Sequence, residues 1–252
     1  MAGQAVAQAL VQDRLPGAAA DPRRRGSGRA LVQRLRQTPP ELLPVQREVL
    51  GDPGGALPVS PAVVDYGARQ SVAPDGKRKV ASVAAGLVRP GGVVILDGGT
   101  TALAVDHALP RDLACTVITH SPPIAVALLD HPQAEVFVLG GRLFKHSAVA
   151  CGAAAVEAAR NVSADLFLLG VTGVHPEAGL TTGDAEDAAM KRALAARAAD
   201  TYVLASSEKI GTASRYRVLP WEEISGLITD ETPQDPVIER LVESGVDVLP
   251  AA

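Results

Sequence analysis

The chain has 252 residues, of which 47% are hydrophobic and 3% aromatic, and its formal net charge is −4. Such a chain is long enough for one sizeable core with an appendage, and Ala, Val and Leu must fill that core. The two cysteines, Cys115 and Cys151, show no metal-binding spacing, so we expect reduced thiols, a cytoplasmic protein and no metal or other cofactor. Without a leader pattern or an apolar run of about 18 residues, secretion and membrane insertion are not expected.

The first 60 residues differ from the rest of the chain in charge. They contain eight arginines, no lysine and five acids, and they are rich in Ala, Gly and Pro. Because clustered cations bind phosphate backbones, the candidate DNA contacts are Arg23, Arg24, Arg25 and Arg29. The alternative is a solvated tail, since no helix-turn-helix pattern accompanies these arginines. We predict a basic N-terminal region over 1–60 and a folded domain over 61–252.

From about residue 75 the hydrophobic pattern alternates between helix-like and strand-like segments. The predicted helices are 77–88, 101–109, 122–129, 153–161, 185–199, 221–224 and 236–244. The predicted strands are 93–96, 115–119, 136–139, 166–171, 202–205, 227–229 and 246–249. Strands that are apolar throughout and separated by helices require a sheet covered on both faces. The sequence therefore predicts an α/β fold with an open, mostly parallel sheet and helices on both faces.

The first predicted strand runs directly into a polar loop. Its four branched apolar residues are followed by Asp97, Gly98, Gly99, Thr100 and Thr101. At the carboxyl end of a parallel strand, open α/β sheets bind their ligands, and glycines with hydroxyls beside a helix N-terminus suit a phosphate. A plain strand-to-helix turn with an N-capping threonine is the alternative.

Four further predicted strands also end in polar loops. The candidate residues in these loops are Thr119 and His120, then Gly140, Gly141 and Arg142, then Gly170 and Gly173, and finally Ser206, Ser207 and Lys209. If the strands are parallel, five loops surround one cleft. Lys209 is the first candidate for the ligand phosphate and Arg142 is a second cation. For both residues the alternative is an exposed side chain without a ligand.

Several motifs follow one another in a fixed order between about residues 77 and 248. They are Asp97-Gly-Gly-Thr-Thr, Thr119-His-Ser, Leu139-Gly-Gly, the run from Asp165 to Gly173, Gly179-Leu-Thr-Thr, Glu186 with Lys191, Ser206-Ser-Glu-Lys-Ile-Gly and Leu227-Ile-Thr-Asp. In order and spacing they resemble the C-terminal effector-binding domain of the DeoR family of bacterial transcriptional regulators. The resemblance implies a fold similar to sugar-phosphate isomerases, an effector that is a phosphorylated sugar or related metabolite, and a homo-oligomeric repressor.

Two parts of the sequence depart from this family. Residues 1–53 lack the winged helix-turn-helix that family members carry there, and prolines crowd the place of its recognition helix. A stand-alone sensor that no longer binds DNA is therefore an alternative to a repressor. The second departure is His120, where the family usually has Asn, so the choice of ligand is expected to differ. His120 could also simply cap the helix that follows.

Glu186 and Lys191 support two interpretations. On a helix over 185–199, Asp187 and Lys191 are i,i+4 neighbours that would form a surface ion pair, and Glu186 would favour the helix dipole. In the related isomerases, acids and a lysine transfer protons, so Asp97, Glu186 and Lys191 could instead form a catalytic set. We expect a binding role without catalysis, and a sugar-phosphate isomerase is the alternative function.

Overall fold

A computed structural model describes residues 49–52 and 55–252, and the side chains from residue 58 onward. Arg23, Arg24, Arg25 and Arg29, the candidate DNA contacts, lie outside the described residues, as does most of the predicted region 1–60. Within the described residues, every helix falls short of the length and hydropathy that crossing a membrane requires.

Strands and helices alternate along the described chain. The strands are β1 (Val49–Asp52), β2 (Gly55–Pro58), β3 (Val93–Leu96), β4 (Cys115–Thr119), β5 (Ala134–Val138), β6 (Arg142–Phe144), β7 (Val149–Cys151), β8 (Ala164–Gly170), β9 (Gly173–His175), β10 (Gly179–Thr182), β11 (Ala198–Leu204), β12 (Tyr216–Arg217), β13 (Gly226–Thr229) and β14 (Val248–Pro250). The helices are α1 (Tyr66–Arg69), α2 (Pro74–Ala85), α3 (Thr100–Ala108), α4 (Pro122–Ala127), α5 (Ala153–Arg160), α6 (Ala185–Ala195) and α7 (Pro236–Glu243). Short 3₁₀ helices cover Pro61–Val63, Leu128–Asp130, Ser207–Lys209 and Trp221–Glu223.

The main sheet has seven strands in the order β14-β13-β11-β8-β3-β4-β5. Every neighbouring pair in it is parallel, which confirms the predicted open α/β sheet. From β3 the chain winds through β4 to β5 on one side, and then returns to β8 and continues through β11 on the other. The winding therefore reverses between β3 and β8, and crevices for ligands form at such points.

Helices cover both faces of the sheet, as the apolar strands require. Along β3, Val94 and Leu96 face one core cluster, which includes apolar residues of α2 and α3. Ile95 faces the other cluster, which includes apolar residues of α5 and α6. This alternation has the period of two that a strand imposes, so one short strand contributes side chains to both core clusters.

The described residues contain three antiparallel elements that the hydrophobic pattern did not predict. They are the β1–β2 pair, the β6–β7 hairpin and a three-stranded sheet in the order β12-β10-β9. Their strands have two to four residues, which is too short for periodicity to identify.

The predicted helix 185–199 is wrong at its end, because α6 stops at Ala195 and Ala198 already begins β11. Alanine favours helices, so the alanine-rich run carries no stop signal. Pairing of Ala198 with Ala164 of β8 overrides that preference.

Candidate functional site

A pocket opens at the carboxyl edge of the sheet, between β3 and β8, and we call it the inner pocket. It is lined by Ala62, Arg69, Lys77, Gly98, Gly99, Thr100, Thr101, Ser147, Val149, Gly170, Val171, Thr172, Thr182, Asp187, Lys191 and Lys209. Its volume is about 510 Å³, including the solvent at its mouth. The inner pocket therefore lies where the winding of the sheet reverses, which is the expected place for a ligand.

The loop after β3 places the start of α3 at the wall of the inner pocket. Gly99 caps α3 with a φ of 105°, and no side chain caps the helix. Thr100 and Thr101 are the first helical residues, so the alternative of an N-capping threonine is wrong. The first N–H groups of a helix have no intrahelical acceptor and carry a partial positive charge. This wall therefore favours an anion.

The loop also requires glycine before the cap. A Cβ on Gly98 would lie 2.0 Å from Cγ1 of Val149, and one on Gly170 would lie 2.9 Å from the Gly98 carbonyl oxygen. The loops after β3 and β8 therefore approach each other as backbone, with no room for side chains.

Lys209 reaches the inner pocket from the 3₁₀ helix Ser207–Lys209. It is 6% exposed, and its Nζ donates to Oγ1 of Thr101 at 3.1 Å. Burial lowers the pKa of Lys209 to about 8, with the positive charges of Lys77 and Arg69 acting in the same direction and Glu208 opposing them. The alternative of a solvated surface lysine is therefore wrong. A bound anion would relieve the repulsion that this ammonium group experiences.

Two further cations line the inner pocket, and neither was predicted from the sequence. Lys77 is buried, and its Nζ donates to the carbonyl oxygen of Arg69 at 2.5 Å. Lys77 lies three and seven positions before Val80 and Ala84, so a lysine on the apolar face of a helix was a usable signal. Arg69 ends the four-residue helix α1, and no pattern indicated that folding brings it to this site.

Asp97 lies beneath the inner pocket rather than in its wall. The carboxylate is fully buried and accepts hydrogen bonds from Lys191 Nζ at 2.5 Å, His120 Nε2 at 2.8 Å and the Gly170 N–H at 2.8 Å. Burial alone would raise the pKa of Asp97, but the charge of Lys191 and the hydrogen bond from His120 outweigh it and lower the pKa to about 2. Asp97 is thus an ionised positioning residue that fixes Lys191 and the loop after β8.

His120 is buried behind Asp97 and does not reach the inner pocket. Its Nε2 bonds Asp97 and its Nδ1 bonds the Ala150 carbonyl oxygen at 2.8 Å. The following helix α4 has Ser121 as its N-cap residue, without a side-chain cap. The alternative role as a helix cap is therefore wrong, and His120 instead connects Asp97 to β7.

Lys191 lines the inner pocket beside an acid, Asp187. Their charged atoms are 3.6 Å apart and both side chains are buried, so the expectation of a surface ion pair is wrong. Burial would lower the pKa of Lys191, but Asp187 and Asp97 raise it above its usual value. Asp187 Oδ2 accepts from Thr182 Oγ1 at 2.6 Å, whereas Asp187 Oδ1 is buried with no hydrogen-bond partner among the described residues. That oxygen can therefore accept a further hydrogen bond.

The structure does not bring Glu186 to the inner pocket. Glu186 forms an ion pair with Arg142 on the surface, where both side chains are about half exposed or more. Asp97, Glu186 and Lys191, the candidate catalytic set, are therefore not assembled, and Asp187 is the acid beside Lys191.

Further predicted residues of the site occupy other places. Gly140 and Gly141 lie outside the inner pocket and precede β6, and Gly173 packs against the backbone of Thr212. Thr119 is buried and its hydroxyl accepts from the Ser121 N–H. Among the serines, Ser206 donates to Glu208, and the Ser207 N–H donates to Asp230.

A second cavity, the outer pocket, adjoins the inner pocket. The two share Ala62, Arg69, Ser147, Thr172 and Thr182, and the outer pocket is further lined by Val59, Val63, Phe144, His146, Gly183, Asp184, Ser214 and Arg215. Its volume is about 990 Å³, including open solvent. The two pockets therefore adjoin, and the outer one is the wider.

Metal binding and thiol chemistry find no support in this part of the chain. Across residues 49–52 and 55–252, no group of three or more His, Cys, Asp or Glu side chains is arranged to hold a metal ion. Cys151 is buried, and burial raises the pKa of its thiol to about 12, which keeps it protonated and unreactive.

Comparisons with known proteins identify a matching domain family and several relatives. The family model of the DeoR C terminal sensor domain matches residues 72–231. The HTH-type transcriptional repressor GlcR of Bacillus subtilis is 33% identical over 206 residues, which cover 81% of this chain and 79% of the relative. The HTH-type transcriptional regulator GlpR of Haloferax volcanii is 32% identical over 198 residues, covering 78% and 77%.

Among solved structures, ribose 5-phosphate isomerase A of Methanocaldococcus jannaschii is similar with a TM-score of 0.41 and 20% identity, over 54% of each chain. The match to the sensor-domain model covers more than half of the chain, and the curated relatives are similar over more than three quarters of it. The chain therefore belongs to the DeoR family of transcriptional regulators, and residues 72–231 form its C-terminal sensor domain.

Proposed function

We propose that the inner pocket binds a phosphorylated sugar or a related phosphorylated metabolite, which acts as the effector of this regulator. The observation that carries the proposal is the charge of the pocket, since four cations line it, namely Arg69, Lys77, Lys191 and Lys209. Asp187 is the one acid in its lining, and Asp97 lies buried beneath it. Such an excess of buried positive charge is favourable only with an anion nearby.

The phosphate group fits the end of the inner pocket that contains Lys209. There the N-terminus of α3 supplies backbone donors, and Lys209 and Lys77 supply ammonium groups. Among the described residues, the ammonium group of Lys209 has no carboxylate within salt-bridge distance, and its one hydrogen-bond partner is the Thr101 hydroxyl. A phosphate dianion would give this ammonium group its counter-charge.

The remainder of the ligand is expected to present hydroxyl groups to Asp187. Asp187 Oδ1 is a buried acceptor that has no hydrogen bond among the described residues, and its nearest cation, Lys191 Nζ, lies 3.6 Å away, so a donor from the ligand would complete it. A sugar hydroxyl donates such a hydrogen bond without adding charge, whereas a second anionic group would be repelled there. This pairing supports a phosphorylated polyol or sugar over inorganic phosphate or a dicarboxylate.

We further propose that effector binding changes the affinity of a homo-oligomer for DNA and thereby relieves repression. A ligand shifts an equilibrium only if it binds the two states differently, so the DNA-competent state must bind the effector more weakly. Arg23, Arg24, Arg25 and Arg29 remain the candidate DNA contacts, in a basic region that we place at 1–60 before a sensor region at 61–252. The relatives named as HTH-type regulators support this role.

A thermal-shift screen of the full chain tests the effector proposal. We expect phosphorylated sugars to raise the melting temperature and their unphosphorylated counterparts to leave it unchanged, because the phosphate supplies the counter-charge. A ligand present at 100 times its Kd adds about 2.7 kcal/mol of stability. Equal shifts from sugars with and without phosphate would contradict the proposal.

Sugar-phosphate isomerisation is the second candidate, and one observation favours it: a buried acid, Asp187, lies beside Lys191 in the pocket wall. An isomerase would convert an aldose phosphate to a ketose phosphate, and the D187N variant would abolish the conversion. We favour the sensor because the relatives are regulators. The sensor predicts stabilisation by the ligand without any product, which NMR of the ligand mixture distinguishes.

A further inference from the structure

One segment lines the pocket although it precedes the sensor domain in the chain. The sensor-domain model matches residues 72–231, whereas Ala62 and Arg69 of the inner pocket come from residues 59–71. The same segment, which we call the strap, also supplies Val59 and Val63 to the outer pocket. The wall of the site is therefore partly built from the stretch that directly follows residues 1–58.

Hydrogen bonds hold the strap at both of its ends. The Ala213 N–H donates to the Pro58 carbonyl oxygen at 3.0 Å, directly before the strap. Further along, the Tyr66 N–H and the Arg69 guanidinium both donate to the His146 carbonyl oxygen, at 2.9 and 3.0 Å. These contacts lie beside the site, since His146 belongs to the turn between β6 and β7 that borders the outer pocket.

Apolar burial contributes little to holding the strap. Ala62 is buried, but α1 contains no buried residue, and Val63 and Val64 are 37% and 39% exposed. Segments with few buried apolar contacts open locally at low free energy. The strap is therefore held mainly by polar contacts, which a ligand in the adjoining pocket is able to strengthen.

Arg69 connects the strap to the inner pocket and has an unused donor. One guanidinium nitrogen bonds His146, while Nε is shielded from solvent and has no hydrogen-bond partner among the described residues. Lys77, another pocket cation, donates to the carbonyl oxygen of Arg69. An anion in the inner pocket would attract Arg69 and Lys77, and a turn of the guanidinium towards the anion would give Nε an acceptor and draw Lys77 and the strap together.

We propose that Arg69 is an effector-binding residue and that the effector fastens the strap over the pocket, so that occupancy is passed to the region preceding residue 59. This inference rests on the proposed function, because it requires an anionic effector in the inner pocket. It adds a route for the signal: the ligand changes the stability of the segment through which the N-terminal region joins the sensor domain. An unoccupied site leaves the strap free to open, and an occupied site closes it.

Hydrogen–deuterium exchange of the full chain, read by mass spectrometry, tests this inference. The probe is inorganic phosphate at saturating concentration, compared with sodium chloride at equal ionic strength. We expect phosphate to slow amide exchange in residues 59–71 by fivefold or more and to leave α7 unchanged. The R69Q variant should lose this protection while phosphate still raises its melting temperature through Lys209. R78Q, which alters an exposed arginine of α2, is the matched control and should behave like the wild type.

The outcomes separate the two proposals. If phosphate raises the melting temperature but exchange in 59–71 changes less than twofold, or if R69Q keeps full protection, the strap inference is wrong and the effector site stands. If neither phosphate nor any sugar phosphate raises the melting temperature, both proposals fail. Should R69Q not fold, R69K, which keeps the charge but lacks the Nε donor, gives the same readout.

Discussion

The two halves of the carboxyl edge of the sheet have loops of similar composition but different roles. The loops after β3, β8 and β11 line the inner pocket, whereas the loops after β4 and β5 do not. Both halves contain glycines next to a cation or a polar residue, as in Gly140-Gly141-Arg142 after β5. The difference follows from strand order, since β3 and β8 are adjacent at the reversal of winding and β5 is at the edge. Position in the sheet, rather than loop composition, decides which loops form the site.

The same contrast appears between two ion pairs. Asp97 and Lys191 are buried under the inner loops, and Arg142 and Glu186 are exposed beside the outer ones. A buried pair that loses one partner leaves an uncompensated charge, whereas an exposed pair is hydrated in both states. Substitutions in the two halves should therefore differ strongly in their effects.

The largest effect is expected for Asp97→Asn. The substitution removes the closer of the two carboxylates beside buried Lys191 and replaces one of the two acceptor oxygens with an NH2 group, so the free energy of unfolding should fall by about 3–5 kcal/mol. Urea denaturation followed by circular dichroism measures it. Asp75→Asn, at an exposed acid of α2 that pairs with Arg78, should change it by less than about 0.5 kcal/mol. Equal losses of unfolding free energy in both variants would show that buried Asp97 stabilises the fold no more than exposed Asp75 does.

Lys209→Met should have the next largest effect, on effector affinity rather than stability. Loss of a charge-assisted hydrogen bond worth about 1.5–3 kcal/mol should weaken binding of a sugar phosphate by roughly 10- to 150-fold. Isothermal titration calorimetry measures this change. Lys79→Met, at an exposed lysine of α2, is the matched control and should leave the affinity unchanged. Wild-type affinity in the Lys209 variant would remove this residue from the phosphate site.

The affinity for a sugar phosphate should also depend on pH, which is a smaller effect. Above the pKa of Lys209, the affinity should fall by about tenfold per pH unit. Lys209 has a pKa of about 8 in the folded protein, so it is protonated below that pH and loses its charge above it. Because phosphate monoesters become dianions above about pH 6, affinity should be highest between pH 6 and 8 and should fall above pH 8. Lys209→Arg should abolish the alkaline fall, since a guanidinium stays charged. Constant wild-type affinity from pH 7 to 9.5 would exclude contact of Lys209 with the ligand.

The smallest effect is expected in the outer half. A double-mutant cycle on Arg142 and Glu186 should give a coupling energy below about 1 kcal/mol, because the pair is exposed. Because Arg142 does not line the inner pocket, Arg142→Gln should change effector affinity less than twofold, although the loop motif assigned it to the effector. A tenfold loss of affinity would show that Arg142 contacts the effector, and it would contradict the proposed difference between the two halves.

Strand positions were largely readable from the sequence, because a fully buried parallel strand is apolar throughout. The predicted strands 93–96 and 115–119 match β3 and β4 residue for residue. The short strands of the β6–β7 hairpin and of the three-stranded sheet carry no such pattern, and the end of α6 depended on pairing between Ala198 and Ala164. Local patterns thus predict elements that bury their own side chains and miss those that tertiary pairing creates.

For the site, the sequence determined the family, the parallel sheet and the glycine-rich loop at the start of α3, because each is encoded in a continuous stretch of residues. Only the tertiary structure decided that Asp97 lies beneath the pocket, that Asp187 rather than Glu186 faces it, and that Arg69 and Lys77 join Lys209 there. The physical reason is that burial and charge compensation depend on neighbours distant in the chain. Asp97 and Lys191 are 94 positions apart, and their ion pair exists only after the sheet and α6 have packed together.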